Sequence, residues 1–471
     1  MIAKENRGMT METELLSIIE RQRLYYQDGR IRSYEARIDA LKRLKKMIKD
    51  LEPEIMNALK RDLGKHPSES YLTEIGITYE SIHYMFKHLR KLMKPKRVKT
   101  PLTLFPATSH IITEPLGNSL IMSAFNYPIL LSFDPIIGAL AGGNTALVAL
   151  SEYTPTINQV LIEGVRRYFD PGLLSFFESS IEANTFVLTH HFDKIFFTGS
   201  PKVGRIVYEA ASKQLTPVTL ELGGKSPAIV TQNAKLSHAA RRIVWGKFIN
   251  TGQTCVAPDY CLVDRQCLPE FMEHVKEAIH VFYGDTPMTN PDYGKIVNHS
   301  AWQRLNSLLK NDQEAIVYGG QVDENTLSIE PTILCVEMMT SSKSMEEEIF
   351  GPILPIVPYD SLDQAIKFVQ SFEQPLAFYP FTEDKKEQQL LLNTLSYGGA
   401  TVNDTILHLA NIHLPFGGVG NSGIGHYHGR YSYEAFTHQK AVLNRQTWLT
   451  LSVMNAPYSE MKDRIIRKLL K

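Results

Sequence analysis

Apolar residues at Ile38, Leu41, Leu44, Ile48, Leu51, Ile55, Leu59 and Leu63 recur every three or four positions and so share one face of a helix. Lys42, Arg43, Lys45, Lys46 and Lys49 decorate the other side, which reads as solvated. Gly64 follows the last periodic residue and is expected to cap the helix, because glycine accepts the left-handed turn that ends one. A second helical pattern covers about 69–92 and stops before Pro95, since proline disfavours helix at the residue it follows. Prolines 95, 101, 106 and 115, with β-branched residues between them, then predict extended chain leaving the body as a hairpin arm.

From Leu116 the period changes. Short apolar runs at 119–124, 145–150, 173–177, 195–198 and 218–222 alternate with helical patterns at 129–141, 155–169 and 203–211. That alternation predicts a doubly wound parallel sheet, which binds ligands at the carboxyl ends of its strands. Ser123–Asn126 and Phe197–Gly199 fall at such ends. A second α/β region runs from about 223 to 395, and a tail rich in Gly, Asn and His follows Ser396. Met461, Ile465, Ile466, Leu469 and Leu470 share a helix face beside Lys462, Arg464, Arg467, Lys468 and Lys471. This terminal segment reads as docking on its own protein or fraying, in preference to peripheral membrane contact.

At 471 residues the chain exceeds a single core and is expected to form two or three domains. Lys plus Arg and Asp plus Glu balance at 50 each, so no global field attracts nucleic acid. Four cysteines without a CxxC pair point to a reducing compartment, and no apolar run approaches the ~20 residues of a membrane span. A cytoplasmic location is the expectation. Cys255, Cys261 and Cys267 have no nearby histidine ligands, and His426 and His428 have no carboxylate or cysteine at ligand spacing, so no metal site is expected.

The chemistry concentrates in two motifs. Cys255 lies in Gly252-Gln253-Thr254-Cys255-Val256-Ala257-Pro258, and Glu221 in Glu221-Leu222-Gly223-Gly224-Lys225-Ser226-Pro227. A thiolate attacks carbonyls, and a carboxylate that reaches a water can hydrolyse the adduct. Ser123-Ala124-Phe125-Asn126-Tyr127-Pro128 places a carboxamide after a strand, where it is either a turn former or a donor to a developing negative oxygen. Phe197-Thr198-Gly199-Ser200-Pro201-Lys202-Val203-Gly204 runs from strand into helix, a setting in which free N–H groups and the helix dipole favour a pyrophosphate. Glu347-Glu348-Ile349-Phe350-Gly351-Pro352 offers a carboxylate for a diol and an aromatic wall for a flat ring. Five glycines between Leu414 and Gly425 suit close backbone approach.

Together these motifs resemble the aldehyde dehydrogenase superfamily, over about residues 34–440. Tyr71-x₂-Glu-Ile-Gly76, Tyr293-Gly294-Lys295-Ile296-Val297-Asn298 and the Asn403-Asp404 loop look like its class 3 branch. The resemblance implies an α/β, aldehyde dehydrogenase-like fold: a Rossmann-type NAD-binding domain (1–94 and 114–222), an α/β catalytic domain (223–395), and a small β oligomerisation arm with the C-terminal tail (95–113 and 396–471). It implies Cys255 as nucleophile, Glu221 as base, and the Asn126 amide with the Cys255 N–H as oxyanion hole. It assigns Gly199, Ser200, Gly204, Glu152, Glu348 and Phe350 to the cofactor, and it implies a homodimer that uses NAD or NADP on fatty or aromatic aldehydes.

Two positions depart from the family pattern. Ala149 stands where the family carries a lysine that contacts the adenosine ribose or a 2′-phosphate, while Glu152 is kept. A carboxylate without its cation repels a 2′-phosphate, and loss of a charged hydrogen bond costs roughly 1.5–3 kcal/mol, so NAD is expected to be preferred over NADP. Ser179-Ser180 replaces a common glycine pair. Two rival readings are a CoA-acylating dehydrogenase, against which Glu221 argues for water as acyl acceptor, and a scaffold whose cofactor site has decayed.

Overall fold

The computed structural model describes residues 10–338, 340–449 and 452–470. The long N-terminal apolar stripe is carried by two helices and not one, Tyr34–Asp50 and Glu52–Leu63. The break falls at Leu51 (φ −103°, ψ 5°), because Pro53 in the next first turn cannot continue a helix from the preceding one. The stripe nonetheless stays continuous, and Leu41, Leu44, Ile48, Ile55, Leu59 and Leu63 are fully buried. Gly64 (φ +72°) ends the second helix. The pattern at 69–92 becomes a short helix Pro67–Ser70, a π-helical turn Tyr71–Ile75 and a helix Gly76–Leu92. A further helix, Met11–Gln27, is capped by Thr10 and sets Leu15 and Ile19 in the apolar cluster beneath the first sheet.

That first sheet has six strands in the order Gly423–Ile424, Val218–Glu221, Lys194–Thr198, Asn118–Met122, Thr145–Leu150 and Leu174–Glu178. Five are parallel, as the βα alternation predicts, and only Gly423–Ile424 runs antiparallel, beside Val218–Glu221. Helices Pro128–Gly142, Pro155–Tyr168 and Pro201–Ser212 match the expected crossovers. A fourth, Ile181–Leu188, begins at Ser180, whose hydroxyl accepts the Ala183 N–H at 3.1 Å. One of the two serines thus serves as a helix cap.

The second sheet has seven strands, ordered Ile316–Tyr318, Thr332–Cys335, Ile353–Tyr359, Tyr260–Asp264, Pro227–Val230, Ala377–Phe381 and Gly399–Ala400. The third sheet is the arm, in which Ala107–Pro115 lies between Lys96–Val98 and Thr437–Arg445. Residues after Ser396 therefore supply one strand to each of these three sheets, and a fourth, two-stranded ladder pairs Val322–Asp323 with Ser328–Ile329. The C-terminal helix Glu460–Leu469 has no buried residue, so the docking on its own chain expected from its apolar face does not occur among the described residues. No helix among those residues is long and apolar enough to cross a membrane.

Candidate active site

The helix Leu236–Phe248 runs into a turn where Asn250, Thr251 and Gly252 take φ of +50°, +55° and +75°. Such conformations cost on the order of 1–2 kcal/mol for a non-glycine residue and persist only when neighbours fix them. Glu69 Oε1 accepts the Asn250 N–H at 2.9 Å. Gln253 Nε2 donates to the Asn250 and Lys295 carbonyls at 3.1 and 3.0 Å, and its Oε1 accepts the Val297 N–H at 3.0 Å. A Cβ at Gly252 would overlap the Gly351 carbonyl. Beyond the turn, the Tyr127 and Thr254 hydroxyls lie 2.6 Å apart, and the Tyr379 hydroxyl donates to the Val256 carbonyl. Cys255 leaves this rigid turn with its side chain only partly buried.

Burial pushes the Cys255 thiol up to about 12, and the facing Glu348 and Glu221 carboxyls add to the rise. The Cys255 and Val256 N–H groups act in the opposite direction. Asn126, also buried, donates from Nδ2 to the Gln253 carbonyl at 3.1 Å, while its Oδ1 has no partner among the described residues. Its own carbonyl accepts from Lys65 Nζ and Asn250 Nδ2, each at 2.9 Å.

Glu221 ends its strand, with Thr198 beside it in parallel register and Gly423 opposite it on the antiparallel side. Its side chain is buried, neither carboxylate oxygen has a hydrogen-bond partner among the described residues, and burial holds it well above the ordinary carboxylate range. The glycine loop makes that placement possible. A Cβ at Gly423 would overlap the Leu220 carbonyl, and one at Gly418 would overlap that of Ser422, whose carbonyl accepts the Leu222 N–H at 3.0 Å.

The strand-to-helix turn at 198–201 lies next to Glu221. A Cβ on Gly199 would sit 2.6 Å from the Phe197 ring, and one on Gly204 the same distance from Leu222. Ser200 caps the helix Pro201–Ser212, its hydroxyl accepting the Val203 N–H at 3.4 Å. Glu152 is exposed just past the strand Thr145–Leu150. Ala149 is fully buried within that strand, packed in the cluster that includes Leu120, Leu147 and Phe197. Phe350 (φ +51°) meets Phe125 edge to face at 5.8 Å, and Phe125 meets Tyr153 in the same way at 5.7 Å. Burial, with Asp259 nearby, pushes Glu348 up to about 8, and a Cβ at Gly223 would overlap its carboxylate.

On the other side of Cys255 opens a cavity of about 200 Å³ walled by Tyr127, Leu130, Leu131, Trp245, Ile406, Phe416 and Tyr427. His428 also lines it. Its Nε2 lies 3.6 Å from Asp134 Oδ2, both side chains being buried, so a carboxylate distant in sequence does join this histidine. Among the described residues no three His, Cys, Asp or Glu side chains group to hold a metal ion.

A sequence model described as Aldehyde dehydrogenase family matches residues 14–442. The chain belongs to the aldehyde dehydrogenase family. It is 46% identical over 447 residues to the 4,4'-diaponeurosporen-aldehyde dehydrogenase of Staphylococcus aureus, an alignment covering 94% of this chain and 97% of that one. It is 41% identical over 433 residues to aldehyde dehydrogenase family 3 member A2 of Mus musculus, covering 92% and 88%. Among solved structures, the substrate-bound state of Staphylococcus aureus AldH matches with a TM-score of 0.95 at 45% identity, over 97% of this chain and 99% of that one. A Mycobacterium tuberculosis aldehyde dehydrogenase complexed with NAD+ matches with a TM-score of 0.83 at 25% identity, over 94% and 92%.

In this aldehyde dehydrogenase Cys255 lies near the Glu348 and Glu221 carboxyls, Asn126 is bonded to the Gln253 carbonyl of the cysteine turn, Phe350 packs on Phe125, and the Gly199–Gly204 turn is bonded to the Glu221 backbone. Sequence reasoning missed the groups that hold them. Lys225 donates to Asp259 Oδ2 at 2.6 Å and to the Ser344 and Glu347 carbonyls at 2.8 and 2.9 Å, and Asp259 Oδ1 accepts the Ile349 N–H at 3.0 Å. These bonds tie the Glu348 segment to the loop after Glu221. Gln253 and Asn250 brace the cysteine turn, and Lys65 braces Asn126. The available signal was weak: a lysine just past a cap glycine, and amides inside a motif read for its thiol.

Proposed function

We propose that this aldehyde dehydrogenase oxidises a lipophilic aldehyde to its carboxylic acid, with NAD as oxidant and Cys255 as covalent nucleophile. The observation that carries the reading is that Cys255 lines an apolar cavity close to the Glu221 carboxyl, which has no hydrogen-bond partner among the described residues, and to the Asn126 amide, whose Nδ2 makes a single bond to the Gln253 carbonyl. The Cys255 sulfur bonds to the carbonyl carbon as the thiol proton is lost to solvent. The carbonyl oxygen becomes negative, and Asn126 Nδ2–H and the Cys255 N–H donate to it. NAD held beside this carbon would supply the hydride acceptor, and a thioester would then remain on Cys255. Glu221 takes a proton from water, the water oxygen bonds to the acyl carbon, the C–S bond breaks, and the acid departs.

The residues fit the dinucleotide. The N-terminus of the helix Pro201–Ser212 offers N–H groups to a pyrophosphate, and it follows Gly199, where a Cβ would run into the Phe197 ring. Glu152 and Glu348 supply acceptors for ribose hydroxyls, and Phe350 supplies a wall. Ala149 puts no cation beside Glu152, which favours NAD over NADP. In this reading the first sheet with the N-terminal helices is the cofactor domain, residues 223–395 are the catalytic domain, and the arm joins two copies. The strand Thr437–Arg445 supports the last point, being an exposed edge with a single neighbour. Four free thiols suit a cytoplasmic setting.

NADH formation with a long-chain aldehyde, by wild type and Cys255→Ala in NAD or NADP, tests the reading. Turnover with NAD that vanishes in the variant supports it, and equal rates with NADP would remove the cofactor preference. Folded wild type that turns over no member of an aldehyde panel, 4,4'-diaponeurosporen-aldehyde included, would overturn it.

A further inference from the structure

Lys65 and Glu74 form an ion pair at 2.6 Å with both side chains fully buried, and neither takes part in the proposed chemistry. Burying two charges is costly unless further hydrogen bonds satisfy them, so their remaining partners are informative. Lys65 Nζ donates at 2.9 Å to the Asn126 carbonyl and stands 4.0 Å over the Tyr127 ring. Glu74 Oε2 accepts the Ile129 N–H at 2.8 Å. That N–H belongs to the first turn of the helix Pro128–Gly142, whose preceding residue Tyr127 supplies no side-chain cap. The pair therefore grips the chain on both sides of the Asn126–Ile129 corner. Glu74 sits in the π-helical turn Tyr71–Ile75, and such an irregularity inside a helix often marks a functional position.

We infer that Lys65 and Glu74 are positioning residues for the oxyanion donor. This rests on the proposed role of Asn126 and names what sets its geometry. Asn126 uses its own side chain for one bond only, to the Gln253 carbonyl, so its aim depends on where its main chain is held. Two donors hold that main chain at the same carbonyl, Lys65 Nζ and Asn250 Nδ2. Asn250 belongs to the cysteine turn, whereas Lys65 lies just past the cap of the helix Glu52–Leu63. The carbonyl of Asn126 thus joins the oxyanion side to the thiol side, and the buried pair fixes it from behind. An oxyanion donor acts only when its hydrogen meets the oxygen of the tetrahedral adduct, so a shift of a few tenths of an ångström is felt in the rate and scarcely in ground-state binding.

The test is a double-mutant cycle on the full chain. Lys65→Met/Glu74→Gln removes both charges together and leaves no unpaired buried ion, and Lys65→Arg keeps the charge while changing its reach. Each is made in the wild type and in Asn126→Ala, with kcat, KM for aldehyde, NAD affinity and Cys255 alkylation by iodoacetamide as readouts. Alkylation forms no oxyanion, so it reports whether the thiol and its turn are intact. The expected result is a 10- to 100-fold fall in kcat for the charge-free pair, with KM, NAD affinity and alkylation within about threefold of wild type. Lys65→Arg should fall between the two. In the Asn126→Ala background the same changes should lower kcat by less than threefold, because the residue they position is gone. Equal losses in both backgrounds, or a parallel loss of alkylation and NAD binding, would overturn the inference. A charge-free pair with normal kcat would also overturn it while leaving the Asn126 reading intact, and a fully active Asn126→Ala would sink that reading first.

Discussion

The Gly199 N–H donates to the Glu221 carbonyl at 3.0 Å, so one hydrogen bond joins the proposed cofactor turn to the strand end that carries the proposed base. The two were read from separate motifs, and parallel pairing of Lys194–Thr198 with Val218–Glu221 makes them neighbours. The proposed cofactor turn and the proposed base therefore share a scaffold only a few bonds wide.

Glu221→Gln is expected to separate the two halves of the reaction. Acyl transfer to Cys255 with release of NADH should persist for about one turnover, while steady-state kcat falls on the order of 10²–10⁴-fold. Rapid-mixing measurement of NADH gives the burst. A variant lacking both burst and turnover would place Glu221 in the first half.

Stability of the cofactor-free protein should depend on pH through Glu348. Its folded value is raised to about 8 from 4.5 by burial and the neighbouring Asp259. Between those values the folded state holds a proton that the unfolded state has lost, so this contribution is present at low pH and disappears as pH rises through about 8. Glu348→Gln has no such proton. Its thermal midpoint should gain on wild type between pH 5 and pH 8, by the equivalent of a few kcal/mol at most. Parallel midpoint curves from calorimetry would show that Glu348 is not held neutral.

Ala149→Lys tests the cofactor preference. The new ammonium should raise kcat/KM for NADP by roughly tenfold, in line with about 1.5 kcal/mol for a charge-assisted bond, and alter that for NAD less. Ala149 is fully buried in its strand, so some loss of thermal stability accompanies the change. An unchanged NADP to NAD ratio would show that residue 149 does not reach the nucleotide.

Gly252→Ala should be among the most damaging single changes in the chain. Residue 252 combines φ of +75° with a Cβ direction blocked by the Gly351 carbonyl, so strain and overlap add. A loss of about 3 kcal/mol or more by urea unfolding is expected, with activity reduced even in folded protein. Gly284, at φ +69° with open space around it, is the control and should lose only about 1 kcal/mol as alanine.

A charge in the cavity wall should discriminate by chain length. Leu131→Glu is expected to raise KM for long aldehydes at least tenfold, because each methylene moved into apolar surroundings contributes about 0.8 kcal/mol. A two-carbon aldehyde should change little. Equal effects on both would indicate that long chains take another path.

By itself the sequence determined the local order and the candidate chemistry-bearing groups. Short apolar runs became the parallel strands, Gly64 capped its helix, and Cys255, Glu221 and Asn126, the proposed nucleophile, base and oxyanion donor, could be singled out because they sit in short stretches with distinctive neighbours. Some local breaks stayed hidden: the apolar stripe runs unbroken past Leu51, and Ser180 looked like a missing glycine when it starts a helix. The tertiary structure decided everything that depends on residues far apart in the chain. It laid Gly423 against Glu221, set His428 beside Asp134 and closed Lys65 onto Glu74 behind Asn126. The physical reason is that a motif records what a backbone segment can do alone. Burial, the pairing of a buried charge and the room left for a carboxylate are properties of the space between segments, and that space exists only once the sheets have formed.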